Sequence, residues 1–256
     1  MTVPPDTLWH DEVGRPDGPL VVLIHGSMDR STGMLKLGRQ LAGSARVLRY
    51  DRRGYGRSAP HPGPHTIDHQ VADLVHLLAG RQAVLVGHSY GGNVALAVAA
   101  RHPQSVSAVA IYETPLSWEP WWPGSTAGSE AVAAAGDPAD AAERFMRRLI
   151  GDERWEALPQ RTRDTRKVEG AAMVAELSDL RRRAPWRADE IVHPVIAGYG
   201  TLGSAHHRRG MRHVADSVAT ARVVELEGCR HDAPLSHPAL FAELLVEPLL
   251  SEARRA

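Results

Sequence analysis

Short apolar runs alternate with amphipathic stretches along the first half of the chain. Leu20 to Ile24 is an unbroken run of Leu, Val and Ile, which is typical of a strand buried on both faces of a parallel sheet. Apolar residues at helical spacing follow from about Ser31 to Leu41. The same alternation continues and predicts strands at 46–50, 83–88 and 106–112, with helices at 67–79 and 93–100. This order predicts an α/β fold with a doubly wound, mostly parallel sheet.

The alternation stops between residues 115 and 189. No stretch there is typical of a strand, although the segment holds five of the six tryptophans and several helix-like stretches rich in Arg and Glu. Strand and helix patterns then resume, with strands at 195–198 and 222–226 and helices at 205–217 and 238–250. We therefore predict a core domain formed by 1–114 and 190–256, with an edge strand at 8–13. Residues 115–189 are predicted to form a helical lid inserted into this domain. The alternative is a surface insertion without substrate contact.

Composition restricts which binding partners, cofactors and cellular compartment are expected. The 256 residues include 30 basic and 30 acidic side chains, so no net charge attracts nucleic acid or an anionic membrane. A small-molecule substrate is the expected partner, and a homodimer is left open. One cysteine, Cys229, excludes an internal disulfide, and no zinc-ligand pattern or phosphate-binding glycine loop is found, so neither a metal nor a cofactor is expected. No apolar run is long enough to span a bilayer, and a cytoplasmic protein is expected.

The candidate nucleophile is Ser89. It lies in Gly-His-Ser-Tyr-Gly, between the predicted strand that ends at His88 and a helix pattern of small residues. A serine in a tight strand-to-helix turn needs glycine on both sides, here Gly87 and Gly91, because other side chains would clash. Such a turn exposes the serine oxygen and directs the backbone N–H of Tyr90 toward a developing oxyanion.

A serine hydroxyl needs a base, and His231 is the best placed of the fourteen histidines. It lies in a Gly-Cys-Arg-His-Asp loop that directly follows the last predicted strand. This loop is expected at the same edge of the sheet as the turn at Ser89.

Taken together, these motifs resemble the α/β-hydrolase superfamily over nearly the whole chain apart from the lid. The resemblance is carried by His25-Gly26, by Asp51 to Ser58 (DRRGYGRS), by the turn at Ser89 and by Gly228 through His231 with a proline beyond. It implies an α/β-hydrolase sheet whose lid follows the strand that the family counts as its sixth, here 106–112. It also implies an oxyanion hole made by the backbone N–H groups of Ser27 and Tyr90. His25 is expected to brace the loop, and Arg53 to be an ion-pair partner in the scaffold.

The orienting carboxylate departs from the common family pattern. In most relatives an aspartate follows the strand that corresponds to 195–198, but this chain continues there as Tyr-Gly-Thr-Leu-Gly-Ser. Glu113, at the end of the strand before the lid, is the best substitute, because certain superfamily members resemble this arrangement and the order Ser89, Glu113, His231 suits the fold. Asp232 is a poorer candidate because adjacent side chains point apart. The alternative for Glu113 is a structural carboxylate at the hinge of the lid.

The expected activity is that of a carboxylic ester hydrolase acting through an acyl-enzyme intermediate. Trp118, Trp121 and Trp122, together with His25, are candidate pocket residues for a small to medium, partly apolar ester. Thioesterase, lactonase, carbon–carbon bond hydrolase and perhydrolase activities are alternatives within the same fold. A non-catalytic binding protein and a cofactor-free lyase or oxygenase are alternatives of other classes.

Overall fold

The computed structural model describes residues 8–133 and 136–253. Residues 1–7, 134–135 and 254–256 of the predicted domains lie outside the described residues. Within the described residues, seven strands form one sheet in the order β1-β3-β2-β4-β5-β6-β7. All neighbouring pairs are parallel except β1 with β3. The strands are β1 (His10–Gly14), β2 (Leu20–Ile24), β3 (Arg46–Tyr50), β4 (Ala83–His88), β5 (Val106–Tyr112), β6 (Val195–Gly200) and β7 (Ala221–Leu226).

Helices cover both faces of this sheet, which explains why every residue of β2 is buried. The α-helices of the core, in the part of the chain that the structure describes, are α1 (Leu35–Leu41), α2 (Ile67–Leu78), α3 (Tyr90–Arg101), α9 (Ala205–Ser217), α10 (Ala233–Ser236), α11 (Pro238–Phe241) and α12 (Glu247–Ala253). Apolar residues of α2, α3 and α9 pack on one face, and those of α1, α11 and α12 on the other. The predicted α/β fold with a doubly wound, mostly parallel sheet is confirmed.

Two predicted helices differ from the structure in detail. The stretch 31–41 begins as a 3-10 turn, Ser31–Met34, before α1. The terminal helix is interrupted by a π-helical turn at Ala242–Val246, between α11 and α12. Pro248 follows this turn, and a proline ring lacks an N–H and clashes with the carbonyl four residues before it. The wider turn accommodates that ring.

The segment between β5 and β6 forms five helices and has no strand among its described residues. They are α4 (Ala127–Ala133), α5 (Pro138–Ile150), α6 (Asp152–Ala157), α7 (Gln160–Val168) and α8 (Gly170–Arg182). Buried side chains of this segment, among them Trp155 and Leu177, join the same apolar cluster as α2 and α3. The carboxyl ends of β4, β5 and β6 meet beneath it, and the candidate site lies at this edge.

Candidate active site

Ser89 occupies a strained turn between β4 and α3. Its φ of 53° and ψ of −125° lie outside the regions that side chains favour, which costs on the order of 1–3 kcal/mol. Its backbone N–H donates to the carbonyl of Tyr112 over 2.9 Å and so fixes the turn against β5. A Cβ on Gly87 would lie 2.5 Å from the Gly91 carbonyl oxygen, so this turn requires glycine. The sequence motif therefore adopts the strand–turn–helix geometry that it predicts.

Glu113 and His231 are in direct contact. His231 Nδ1 lies 2.7 Å from Glu113 Oε2, although the two residues come from the end of β5 and the loop after β7. The Glu113 side chain has no exposed surface, whereas that of His231 is 29% exposed. Glu113, and not Asp232, is thus the carboxylate that hydrogen-bonds this imidazole among the described residues.

The chain after β6 makes room for Glu113. The backbone N–H of Gly200 donates to Glu113 Oε1 over 3.1 Å, and a Cβ at Gly203 would overlap the same oxygen. Glu113 itself has a φ of 46°, an uncommon value for a residue with a side chain, which redirects the chain at the end of the strand. The loop that lacks the usual aspartate therefore carries glycine where the carboxylate of Glu113 lies.

Glu113 is ionised and His231 carries its proton on Nδ1. Burial raises the pKa of the Glu113 carboxyl, but the imidazoles of His207 and His231 beside it outweigh burial and hold that pKa well below its usual range. A carboxylate accepts hydrogen bonds and cannot donate them, so the Nδ1–H of His231 is the donor. In the neutral imidazole, Nε2 is then left free to accept a proton.

Two side chains that the sequence did not single out hold the loop of His231. His88 Nε2 donates to the backbone carbonyl of His231 over 2.8 Å, and the two rings lie 4.6 Å apart. Tyr112 donates its hydroxyl to the carbonyl of Arg230 over 2.8 Å. Burial lowers the pKa of His88 to about 3, so the ring is neutral and its single proton lies on Nε2. The residue before Ser89 thereby ties the turn to the His231 loop.

The predicted oxyanion amides belong to two segments that both adjoin Ser89. Tyr90 begins α3, so its N–H has no intrahelical acceptor. A Cβ at Gly26 would lie 2.9 Å from Ser89 Cβ, which places the loop of Ser27 against the turn. Arg52 Nη2 donates to the Gly26 carbonyl over 3.0 Å, and because a trans peptide is planar the next N–H, that of Ser27, points away from Arg52.

His25 is enclosed and has no exposed surface. Its Nε2 accepts the backbone N–H of Arg52 over 2.9 Å, so Nδ1 is the donor to the Gly26 carbonyl over 2.8 Å. Burial, followed by the charge of Arg52, lowers the pKa of His25 well below its usual range. Both nitrogens are engaged, so His25 braces the loop that contains Gly26 and Ser27 and does not form a pocket wall in this structure. Arg53, which follows Arg52 in the chain, pairs with Asp73 of α2 over 2.5 Å, as a scaffold ion pair.

A carboxylate of α8, Glu176, contacts the loop that contains Gly26 and Ser27. It is fully buried and pairs with the equally buried Arg52 over 2.7 Å. Tyr55 and Ser27 donate their hydroxyls to Glu176 Oε1 over 2.6 and 2.5 Å. Arg52 also donates to the carbonyls of His25 and Gly26, so one ion pair connects α8 with the whole loop. No sequence motif marked Glu176.

The three candidate pocket tryptophans are half-buried and divide into two groups. Trp118 packs edge-on against Trp186 with ring centres 5.7 Å apart. Trp121 and Trp122 lie against α9, and the ring of Trp122 is 5.8 Å from that of His207. Of the three, Trp122 is the one whose ring lies beside His207, which contacts Glu113.

His207, from α9, lies beside both Glu113 and His231. Its Nδ1 lies 3.1 Å from Glu113 Oε2, and its ring stacks on that of His231 with centres 4.9 Å apart and an angle of 13°. Burial lowers the pKa of His207, an effect opposed by Glu113. One nitrogen from each of His207 and His231 and one oxygen of Glu113 all lie within 4.8 Å of one another, so these residues could hold a metal ion.

The chain belongs to the alpha/beta hydrolase family, whose model matches residues 21–244. It is similar to Lipase LipV of Mycobacterium tuberculosis (strain ATCC 25618 / H37Rv), with 29% identity over 90% of this chain and 93% of the relative. It is also similar to Rhodomycin D methylesterase DnrP of Streptomyces peucetius, with 25% identity over 93% of each chain. Among solved structures, the enol-lactonase from Burkholderia xenovorans LB400 superposes with a TM-score of 0.70 and 26% identity, covering 95% of this chain and 96% of the other.

The family, the fold and these relatives make the chain a hydrolase. Within the described ranges, none of the helices has the length and apolar character needed to cross a membrane.

Proposed function

We propose that the chain hydrolyses carboxylic esters through an acyl-enzyme intermediate, with Ser89, His231 and Glu113 as the catalytic triad. The observation that carries the proposal is the 2.7 Å contact between His231 Nδ1 and the buried Glu113 carboxylate. This contact fixes the imidazole tautomer in which Nε2 is a proton acceptor. The strained turn at Ser89 and the two amide groups beside it supply the remaining parts of such a site.

Each residue has one task in this mechanism. Ser89 Oγ attacks the ester carbonyl while His231 Nε2 takes its proton, and Glu113 stabilises the imidazolium that forms. The N–H groups of Ser27 and Tyr90 donate to the oxyanion, an interaction whose loss costs on the order of a hundredfold in turnover. His231 then returns the proton to the leaving alcohol, and water hydrolyses the acyl-enzyme by the same steps in reverse.

The proposed substrate is a small to medium, partly apolar ester. Half-buried indole rings near the Glu113 group offer apolar faces to an acyl or alkyl group. The methylesterase and lipase relatives support an ester. A lactone is the second candidate, because the enol-lactonase is similar over nearly the full length of both chains and a lactone is a cyclic ester.

The nucleophile is tested with a fluorophosphonate probe followed by peptide mass spectrometry, using Ser89→Ala as the matched control. We expect one covalent label on Ser89 and none on the variant. p-Nitrophenyl acetate, butyrate and octanoate, an acyl thioester and a γ-lactone are then compared by kcat/KM. Folded wild type that neither labels nor turns over any of them would remove the proposed function.

The carboxylate is tested with Glu113→Gln, which keeps the shape but removes the charge. We expect kcat to fall by about 10³ to 10⁴-fold at neutral pH, as for removal of the triad carboxylate in other serine hydrolases. Circular dichroism and the unfolding temperature check that the variant folds. Unchanged turnover in the folded variant would exclude Glu113 from the triad.

A further inference from the structure

The hydrogen bond between Glu113 and His231 is one edge of a triangle of three atoms that could ligate a metal ion. Glu113 Oε2 lies 2.7 Å from His231 Nδ1 and 3.1 Å from His207 Nδ1. Two imidazole nitrogens and one carboxylate oxygen are a common ligand set for Zn²⁺, with a fourth position left for water. We propose that this triangle is a site for a divalent transition-metal ion, for which Zn²⁺ is the reference, and that its occupation reversibly inhibits the enzyme.

The ligand atoms need to move only slightly to bind such an ion. Tetrahedral Zn²⁺ with bonds of about 2.0–2.1 Å places its ligand atoms about 3.3 Å apart. The 2.7 and 3.1 Å contacts of Glu113 Oε2 are shorter than this by about 0.6 and about 0.2 Å, and no two of the three ligand atoms are more than 4.8 Å apart. Side-chain rotations supply movements of this size without a change of backbone.

The three ligands are held in place by other groups, each from a different element of the fold. Gly200 N–H binds Glu113 Oε1 and leaves Oε2 to face the imidazoles. His88 holds the backbone carbonyl of His231, and the ring of His207 packs beside that of Trp122. Such surrounding contacts typically raise metal affinity by 10–100-fold. The imidazole side chains are 15% and 29% exposed, so an ion can approach from their side while Glu113 stays buried.

Inhibition follows from the tautomer of His231 and therefore rests on the proposed function. A metal bound to Nδ1 takes the lone pair of that nitrogen, so the proton on Nδ1 moves to Nε2. No net proton is released, but Nε2 becomes a donor. A protonated Nε2 cannot accept the proton of Ser89, and the metal-bound Glu113 no longer supports the imidazolium.

Zinc binding is measured directly by isothermal titration calorimetry with ZnCl₂ in a non-chelating buffer, on Ser89→Ala protein, so that the result does not depend on turnover. We expect one ion per chain in this background. Adding His207→Phe, which keeps an aromatic ring against Trp122, is expected to weaken binding by at least about 100-fold, the upper range found for loss of an outer partner. Adding His206→Phe, a neighbour outside the triangle, is the matched control and is expected to bind as the parent does.

Esterase activity with and without ZnCl₂ gives the second readout, each variant being compared with its own metal-free rate. We expect the wild type and His206→Phe to be inhibited and to recover fully with EDTA. His207→Phe is expected to be insensitive at the same concentration. Equal zinc affinity and equal inhibition of His207→Phe and wild type would overturn the proposal. Intact zinc binding in a protein inactive on all esters would instead count against the proposed function alone.

Discussion

Removing the carboxylate of Glu176 should destabilise the fold, because it would leave the guanidinium of Arg52 buried without a counter-charge. Both side chains have no exposed surface, and their closest atoms are 2.7 Å apart. Loss of one partner from a buried ion pair costs about 3–5 kcal/mol. Arg52 would keep its bonds to the carbonyls of His25 and Gly26 and its contacts with two tyrosine rings, so we expect Glu176→Ala to cost about 3 kcal/mol, the lower end of that range.

Urea unfolding with linear extrapolation measures this cost, and thermal unfolding gives a second value. For a chain of this size, about 3 kcal/mol corresponds to a fall of about 6–12 °C in Tm. Asp189→Asn is the matched control, because Asp189 pairs with Arg187 at the surface, where both side chains are about 70% exposed. Its expected cost is under about 1 kcal/mol. A difference between the variants smaller than about 1 kcal/mol would refute the argument from burial.

A double-mutant cycle separates the unpaired charge from lost packing. Arg52→Met combined with Glu176→Leu removes both charges, so the combined variant should be more stable than the sum of the two single changes predicts. Contacting residues of this kind couple by about 0.5–3 kcal/mol. Additive effects would show that the ion pair is not the cause. Since Arg52 also holds the loop of Ser27, kcat of Glu176→Ala should fall more than its KM rises.

Two further outcomes are expected. Gly203→Ala should lower kcat, and should lower stability by about 1–3 kcal/mol, because the new Cβ would overlap Glu113 Oε1. Gly43→Ala is the control, because a Cβ there would meet nothing within 4 Å. Equal kinetics and unfolding curves in the two variants would contradict the argument. Burial lowers the pKa of His65 to about 4 and of His88 to about 3. In the unfolded chain the histidine pKa is near 6.5, so below about pH 6.5 the unfolded chain binds more protons than the folded chain. The stability that the neutral His65 and His88 contribute is therefore present above about pH 6.5 and is lost as the pH falls toward 4. His65→Leu should reduce the slope of unfolding free energy between pH 6 and 4.5 by up to about 1.4 kcal/mol per pH unit and leave the slope at pH 8 unchanged. Urea titrations at each pH measure the slope, and an unaltered acid slope would exclude His65 from this effect.

The sheet and the turn at Ser89 were predictable because their signals are local. A run of β-branched residues, a glycine on each side of a serine and a helix of small residues each constrain a few neighbouring positions. The contact of Glu113 with His231 was predictable only by excluding other carboxylates. It required the topology of the fold, because the two residues lie at different strand ends.

Other contacts of the site could not be predicted, because they join residues that are far apart in the chain. Glu176 lies 124 positions after Arg52, on a helix where no sequence motif marks this glutamate. Arg52 and Arg53 are adjacent and identical in type, yet the first holds the loop of Gly26 and the second holds α2. His207 is one of fourteen histidines, and its place beside Glu113 depends on how α9 packs.

The buried carboxylates also restrict how the predicted lid can move. Glu169, between α7 and α8, is fully buried and binds Arg30 and the backbone N–H of Gly56, and Glu176 binds Arg52. Lifting α8 from the core would separate both carboxylates from partners that lie on the core side. It would leave the buried Arg52 without its counter-charge, at a cost of about 3–5 kcal/mol. Any opening that admits substrate is therefore expected to leave α8 in place and to move the helices before it. On this view α8 belongs to the floor of the candidate site, since the same Glu176 that anchors it also binds Ser27 in the loop beside Ser89.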